Sequence, residues 1–363
     1  MFIITILISA IYFSLIALFI KGWNQIPTFH FRAGQPIKTG ISVVVACRNE
    51  AENLPTLLET LKNQSLKSFQ LILIDDHSTD ATYRIMTQAD KEFHNILVLK
   101  SENYGKKQAL KTGIENAAND LIVTTDADCS PTPQWLETLI QFHEKTKSDL
   151  IIGPVAIYPA QTLFEKMQQL EFQSLVSSGA GAAGIGKPII CNGANLVFNK
   201  QNWLDNFENL QTASNSGDDV FLLHSIKIQN GKINFLKSKE AIVNTKPCNS
   251  INSFFNQRQR WASKAPLYTD FATVFVAILV FAVALLQLIL LFASFFNSEY
   301  EVHLTILSIS KLVADSIFLF QTSQFFDQRI TAKTFLMLAV VYPFYIVYSS
   351  VTGILKGHFF SKW

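Results

Sequence analysis

Charge is scarce in this chain. Of its 363 residues only 16% are Asp, Glu, Lys or Arg, against about a quarter in an ordinary soluble domain. The deficit excludes a disordered or acidic-tail protein and points to a membrane. An excess of one sign is lacking as well. Lys+Arg 30 against Asp+Glu 28 leaves +2, so no bulk field draws nucleic acid, and none is expected as a partner. Cysteine is sparse: Cys47, Cys129, Cys191 and Cys248 are widely spaced and form no CxxC pair. That rules out a disulfide scaffold and a recognisable zinc knuckle, and reads as reduced thiols in a cytosolic compartment. Internal repeats and low-complexity tracts are absent.

Apolar residues are abundant, at 49%, with mean hydropathy +0.22, and they are unevenly placed. Residues 2–20 form an uncharged run about as long as a bilayer core requires. It has no basic n-region and no small-residue cleavage site after it, so it reads as a retained anchor (1–21) rather than a cleaved signal. Lys21, Arg32 and Lys38 follow, and the positive-inside rule then puts the next domain in the cytoplasm, at the inner membrane. Residues 271–296 are a second uncharged span. Residues 297–303, with Glu299 and Glu301, read as a short acidic outer loop. Residues 304–326 form a third span, interrupted by Lys311 and Asp315. These sit four apart on one helical face, as a self-neutralising pair in preference to an intramembrane polar site. Residues 334–355 form a fourth span. Strict alternation leaves 356–363 outside, where Lys356 and Lys362 fit poorly.

Between the spans the composition is that of an α/β domain, at 40–249, followed by an interfacial segment, 250–268. β-Branched or aliphatic runs at 41–46, 70–74, 96–99 and 121–125 read as strands. They alternate with helical spacing at 50–64, 78–89, 106–118 and 133–145. Such alternation implies a doubly wound, mostly parallel sheet, in which ligands bind beyond the carboxyl ends of the strands.

Acidic residues stand at those ends. The second strand runs into Asp75-Asp76-His77-Ser78-Thr79-Asp80 and the fourth into Asp126-Ala127-Asp128. Carboxylates two residues apart in extended chain project to one side, and hard oxygen donors at that spacing suit Mg²⁺ or Mn²⁺. A lone DxD is more often a cap or turn; its position opposite a second acidic turn is what raises it to a site. A third pair, Asp218-Asp219 after Gly217, reads either as a helix N-terminus or as a general base. Gln257, Arg260 and Trp261 lie within FFNQRQRW, an amphipathic stretch suited to the membrane interface. Gly179, Gly181 and Gly184 fit GxGxxG, but they follow a helix-like stretch rather than a strand. Residues 181–187 miss a P-loop because Pro188 stands where Ser or Thr is required. This region is expected to be a small-residue loop over the cleft.

VVACRNEAENL, ILIDDHSTDAT, GKKQAL, TTDADCSP, CNGANLVF, GDDVFL and QRQRW occur in that order over about 40–265. Together they resemble the membrane-bound inverting glycosyltransferases of family 2, which include cellulose, chitin, hyaluronan and poly-N-acetylglucosamine synthases. The resemblance implies a GT-A fold with one N-terminal and about three C-terminal membrane helices. It also implies metal-dependent transfer of a sugar from a UDP-sugar donor to a lipid-linked or glycan acceptor, forming a β-linkage, with room for other envelope-assembly proteins as partners. It implies that Ala46, Arg48 and Glu50 line the nucleotide pocket and that Asp75 or Asp76 holds the base. Lys106 approaches the nucleotide, Asp126 the donor sugar, and Asp128 the metal, with Asp126 beside it. Asp219, next to Asp218, is the base. Gln257, Arg260 and Trp261 serve the pyrophosphate and acceptor, and Asn195 lies in an acceptor-side loop. Two positions depart from the family pattern: Ala46 replaces a Pro, and His77 replaces a Gly and is expected to be a turn residue. The rival reading is a catalytically silent nucleotide-sugar-binding subunit. A transporter fits poorly, because so few spans leave little for a pore.

Overall fold

The computed structural model describes residues 1–89, 91, 93–210 and 217–355; Lys356 and Lys362 lie outside the described residues. The chain begins with α1 (Phe2–Gln25), β1 (Ile41–Cys47), α2 (Leu54–Lys62), β2 (Gln70–Asp75), α3 (Thr82–Ala89), β3 (Ile96–Lys100) and α4 (Lys106–Glu115). There follow β4 (Leu121–Thr124), β5 (Cys129–Pro131), α5 (Trp135–Thr146), β6 (Leu150–Ile152), β7 (Val155–Ile157) and α6 (Leu163–Gly184). Next come β8 (Leu196–Asn199), α7 (Lys200–Asp205), α8 (Phe207–Leu210), α9 (Asp218–Ile228), β9 (Ile233–Phe235) and β10 (Val243–Thr245). The last helices are α10 (Ile251–Ala262), α11 (Phe271–Ser294), α12 (Glu299–Phe326) and α13 (Ala332–Leu355). They divide into an α/β unit, residues 26–158 and 190–246, and a helical unit, residues 1–25, 159–189 and 247 onward.

The α/β unit is built on a seven-stranded sheet in the order β3-β2-β1-β4-β8-β6-β9. β1 pairs in parallel with β2 and β4, and β2 with β3. β8 runs antiparallel to β4 and β6, so the sheet is mixed. Every residue of β1 is buried, as expected of a strand covered on both faces. Leu54, Leu57 and Leu61, at i, i+3 and i+7 of α2, are fully buried and each contributes about 2 kcal/mol of apolar burial. A second sheet, β5-β10-β7, adjoins the DxD segment through β5.

Two helices start later than the sequence periodicity suggests. Residues 50–53 precede α2 as a turn because their N–H groups are taken by the neighbouring loop. The Glu50 N–H donates to Thr82 Oγ1 at 2.7 Å and the Ala51 N–H to Asp80 Oδ2 at 3.1 Å. Asp80 also accepts from the Thr82 N–H at 2.9 Å, which postpones α3 to Thr82.

In the helical unit α1, α11, α12 and α13 are long and apolar enough to cross a membrane. The expectation of a small-residue loop at 179–187 is corrected: Gly179, Gly181 and Gly184 complete α6, which starts on a Thr162–Glu165 capping box. The glycines serve helix packing. A Cβ on Gly22 of α1 would fall 1.8 Å from the Gly181 carbonyl oxygen, and one on Gly184 would fall 2.1 Å from that of Gly22. Small residues let two helix backbones meet at this range, and the lack of bulk that imitates a loop in sequence is what the contact requires. The acidic loop at 297–303 is likewise corrected, since α12 already begins at Glu299, with Glu299 and Glu301 in its first turn, where the helix dipole favours acids. Lys311 and Asp315 do pair, and Tyr12 of α1 donates its hydroxyl to Asp315 at 2.6 Å. Leu170, Phe254, Leu319, Leu338 and Tyr345 form a core joining α6, α10, α12 and α13.

Candidate active site

β1 stands between β2 and β4, so chain order reverses across it, and loops leaving the carboxyl ends of β2 and β4 flank a crevice. Two strand spacings, roughly 10 Å, separate those loops at the sheet.

On the β2 side, Asp76 is fully buried and receives the Gly105 N–H on both carboxylate oxygens, at 3.0 and 3.1 Å. Arg48 approaches it at 3.9 Å and His77 Nδ1 at 3.2 Å. Gly105 holds φ +109°, a conformation side chains resist, which lets the start of α4 reach the carboxylate. Asp75 has a different role. It accepts the Ser78 N–H at 3.3 Å and lines a cavity of about 320 Å³ with His77, Ser78, Lys100 and Ser101, whereas Asp76 does not line it. His77 is a turn residue at φ +58°, and its ring stacks on Tyr104 at 3.7 Å and 17°. Arg48 lies 5.7 Å from the same Tyr104 ring. Tyr104 was not singled out from sequence; its only signal is its place just before the GKKQAL motif. Ala46 is buried at the end of β1, paired with Ile74. Burial pushes the Glu50 carboxyl up, opposed by the Asn53 amide and reinforced by Asp128 and Asp126.

On the β4 side, Lys106 hydrogen-bonds Asp126 Oδ1. Burial works to lower the Lys106 ammonium, yet Asp126, Asp218 and Asp219 together hold it above its ordinary range. This lysine therefore senses the DxD and the Asp218–Asp219 pair at once. Its neighbour Lys107 is buried and donates to the Leu210 carbonyl, a brace rather than a site group. Burial, then the adjacent Asp126 carboxylate, pushes the Asp128 carboxyl up. The Cys129 thiol donates to Asp128 at 3.6 Å and the Thr245 hydroxyl at 3.4 Å. Among the described residues no three acidic, His or Cys side chains form a ligand set by themselves. Two mutually repelling carboxylates of hard oxygen donors nonetheless fit an ion such as Mg²⁺ or Mn²⁺, which keeps water and phosphate in its other positions.

Asp219 sits in the first turn of α9. Its Oδ2 accepts the Gly193 N–H at 3.1 Å and its Oδ1 the Val220 N–H at 2.8 Å. Gly193 in turn accepts the Thr124 hydroxyl at 2.7 Å, from the last residue of β4. One short link therefore ties the strand end that carries the DxD to Asp219. Asp218 is buried beside it. The expectation that Asn195 faces an acceptor is corrected. Its side chain is fully buried, donates to the Pro154 and Ala241 carbonyls at 2.8 and 2.9 Å, and accepts the Trp135 indole N–H at 3.0 Å. Each polar group of that amide is engaged in fixing the loop that carries Gly193, and none is left for a ligand.

Gln257, Arg260 and Trp261 belong to α10 in the helical unit. Between them lies Arg258, buried and paired with Glu171 of α6 through both guanidinium nitrogens Nε and Nη2. Arg258 also hydrogen-bonds Gln257 and stacks its guanidinium 4.3 Å from the Trp261 ring.

Residues 42–210 match the family model described as Glycosyl transferase family 2. Over 146 residues the chain is 32% identical to an undecaprenyl-phosphate 4-deoxy-4-formamido-L-arabinose transferase of Pectobacterium carotovorum, a match covering 39% of this chain and 44% of that relative. A protein of the same description from Photorhabdus laumondii is 33% identical over the same shares. The chain thus spans less than half the length of these curated relatives. A mannosyltransferase from Pyrobaculum calidifontis, solved in complex with GDP-Man and Mn²⁺, superposes with a TM-score of 0.56 over 98% of this chain and 97% of that one. At 15% identity this shows a shared fold.

Proposed function

We propose that this chain, which carries a glycosyl transferase family 2 domain, moves a sugar from a nucleotide donor to a lipid-linked or glycan acceptor at the cytoplasmic face of a membrane. The observation that supports the reading is the pair of links from the β4 end: Lys106 hydrogen-bonds Asp126, and the Thr124 hydroxyl and Asp219 both bond the Gly193 backbone.

In this reading Asp75 takes the base, because it lines the cavity while Asp76 is engaged with Gly105. The donor nucleoside diphosphate is UDP by resemblance. Asp126 and Asp128 hold Mg²⁺ or Mn²⁺, which when bound neutralises charge on the departing diphosphate. Lys106 stands beside them and turns its ammonium toward the same oxygens. Asp219, oriented by two backbone N–H groups, takes the proton from the acceptor hydroxyl. One base and no covalent intermediate imply inversion, so an α-linked donor gives a β-linked product. Gln257, Arg260 and Trp261 serve the acceptor and diphosphate ends.

The test uses membranes containing the full chain, incubated with a panel of radiolabelled UDP- and GDP-sugars. Lipid-extractable label is then separated from polymeric label. Asp219→Asn is expected to lower transfer by about 10²-fold or more while UDP affinity by calorimetry is retained. Loss of both together would remove Asp219 from the role of base.

A further inference from the structure

A concavity in the α/β unit has a lining that shares no residue with the acidic crevice. It has a volume of about 780 Å³ and is lined by residues 28–39 and by α5 with the turn after it. Its walls carry four cations, Arg32, Lys38, Lys145 and Lys147, beside the His30 ring, all exposed. Lys145 sits 5.6 Å from the Phe29 ring, and among the described residues Arg32, Lys38 and Lys147 make no ion pair. The only carboxylate in the wall is Glu144, and its Oε1 is taken by the Lys38 N–H, the Thr39 N–H and the Thr39 hydroxyl at 2.9, 2.9 and 3.0 Å.

This wall is built rather than draped. The Arg32 N–H donates to Gln141 Oε1 at 3.1 Å, and Gln141 Nε2 returns a bond to the Arg32 carbonyl at 2.8 Å. The Phe29 N–H donates to the Lys237 carbonyl at 2.8 Å, and the Phe29 ring packs edge-on against Phe142. A strap pinned at Phe29, Arg32 and Lys38 presents its cations in a fixed frame. Along the chain, Thr28, the first lining residue, follows the end of the apolar helix α1 by three positions, at most about 11 Å of chain. Cations carried on a strap that leaves an apolar helix each add appreciably to attraction where they meet the surface field of anionic lipid.

We propose that this cavity binds a phosphate-bearing anion, supplied by the headgroup of an anionic membrane lipid. It is a site separate from the acidic crevice, and it does not depend on the transferase reading. The chemistry is a phosphate ester held by guanidinium and ammonium groups that outnumber the one lining carboxylate, Glu144, whose Oε1 is engaged by Lys38 and Thr39.

The full chain in detergent is titrated with phosphatidylglycerol and with phosphatidylcholine, and bound lipid is counted by native mass spectrometry. Inorganic phosphate and pyrophosphate are titrated separately by calorimetry. Wild type is expected to favour phosphatidylglycerol by about tenfold or more. Joint replacement Arg32→Gln, Lys38→Gln, Lys145→Gln and Lys147→Gln should bring the two lipids to parity with the melting temperature unchanged. A control set of equal charge loss, Lys62→Gln, Lys67→Gln, Lys91→Gln and Lys111→Gln, should keep the preference. Equal loss in the control set assigns the effect to bulk charge and overturns the site. Tight binding of inorganic phosphate without lipid preference overturns the membrane source. A cavity variant that still prefers phosphatidylglycerol overturns the proposal outright.

Discussion

In the helical unit buried charge comes in matched pairs: Arg258 with Glu171, and Lys311 with Asp315 and the Tyr12 hydroxyl. In the α/β unit Asp75, Asp76, Asp126, Asp128, Asp218 and Asp219 crowd the crevice, with Arg48 and Lys106 as the cations set against them. The first arrangement satisfies itself. Under the proposed function, the second arrangement is completed by a divalent ion at Asp126 and Asp128. Charge paired one to one in the helical unit is therefore architecture, and the clustered carboxylates of the α/β unit are the charges the proposed function assigns to chemistry.

The largest effect should come from breaking a match. Arg258→Met leaves Glu171 buried and uncompensated, and is expected to cost about 3–5 kcal/mol. The double replacement Glu171→Met with Arg258→Met should recover most of that stability, because an apolar pair of similar volume is often as stable. Thermal melts of the three proteins check this. The recovered double variant should still lose transfer if Arg258 orients Gln257 and Trp261 through its contacts with them. Recovery of activity along with stability would make the pair purely architectural.

Next in size is a packing insult in the same unit. Gly181→Val places a Cβ 2.5 Å from the Phe19 carbonyl oxygen, and backbone atoms yield less readily than a side chain. We expect a loss of about 1–3 kcal/mol or more, read as a lowered melting temperature. Ala in place of Tyr104, an exposed ring in the other unit, should cost only about 0.5–1.5 kcal/mol, the stack on His77.

A smaller effect of opposite sign is expected in the crevice. Burial and Asp126 raise the Asp128 carboxyl in the folded state, so its charged form opposes folding at neutral pH. A carboxyl raised on folding stabilises the fold progressively as pH falls through its folded value. Asp128→Asn removes that dependence. The variant should melt at a higher temperature than wild type at pH 7, lose the advantage under acid, and fail in transfer. A lower melting temperature at pH 7 would place Asp128 among the architectural charges.

The sheet was legible because its strands are continuous β-branched and aliphatic runs, and the strand-end acids because sequence order alone puts them at carboxyl ends. Lys106 and Asp219 were legible only through resemblance, since no local pattern says that residues 106, 126 and 219 meet. Three readings failed for physical reasons. Gly179 to Gly184 look flexible in sequence, but their missing side chains serve contact with α1. Asn195 looks like a polar group awaiting a ligand, but its amide is consumed by Pro154, Ala241 and Trp135. Residues 297–303 look like an acidic loop, but Glu299 and Glu301 open α12, where the helix dipole favours them.

The smallest effect tests where the boundary between the two kinds of charge falls. His77 occupies a left-handed conformation, which costs a side-chained residue about 1 kcal/mol, so glycine there relieves strain. Against this, glycine loses more backbone entropy on folding, by roughly 0.5–1 kcal/mol, and it abandons the stack on Tyr104, worth about 0.5–1.5 kcal/mol. The terms partly cancel, so His77→Gly should shift stability by about 0–1.5 kcal/mol toward unfolding. His77→Asn tolerates the same backbone while losing the ring, and should fall close to the glycine variant. If the ring borders the nucleotide, both variants should bind UDP several-fold more weakly at nearly unchanged melting temperature. A pair of variants that lose stability but keep UDP affinity would move His77, and Asp76 with it, from the chemistry of the crevice to its scaffold.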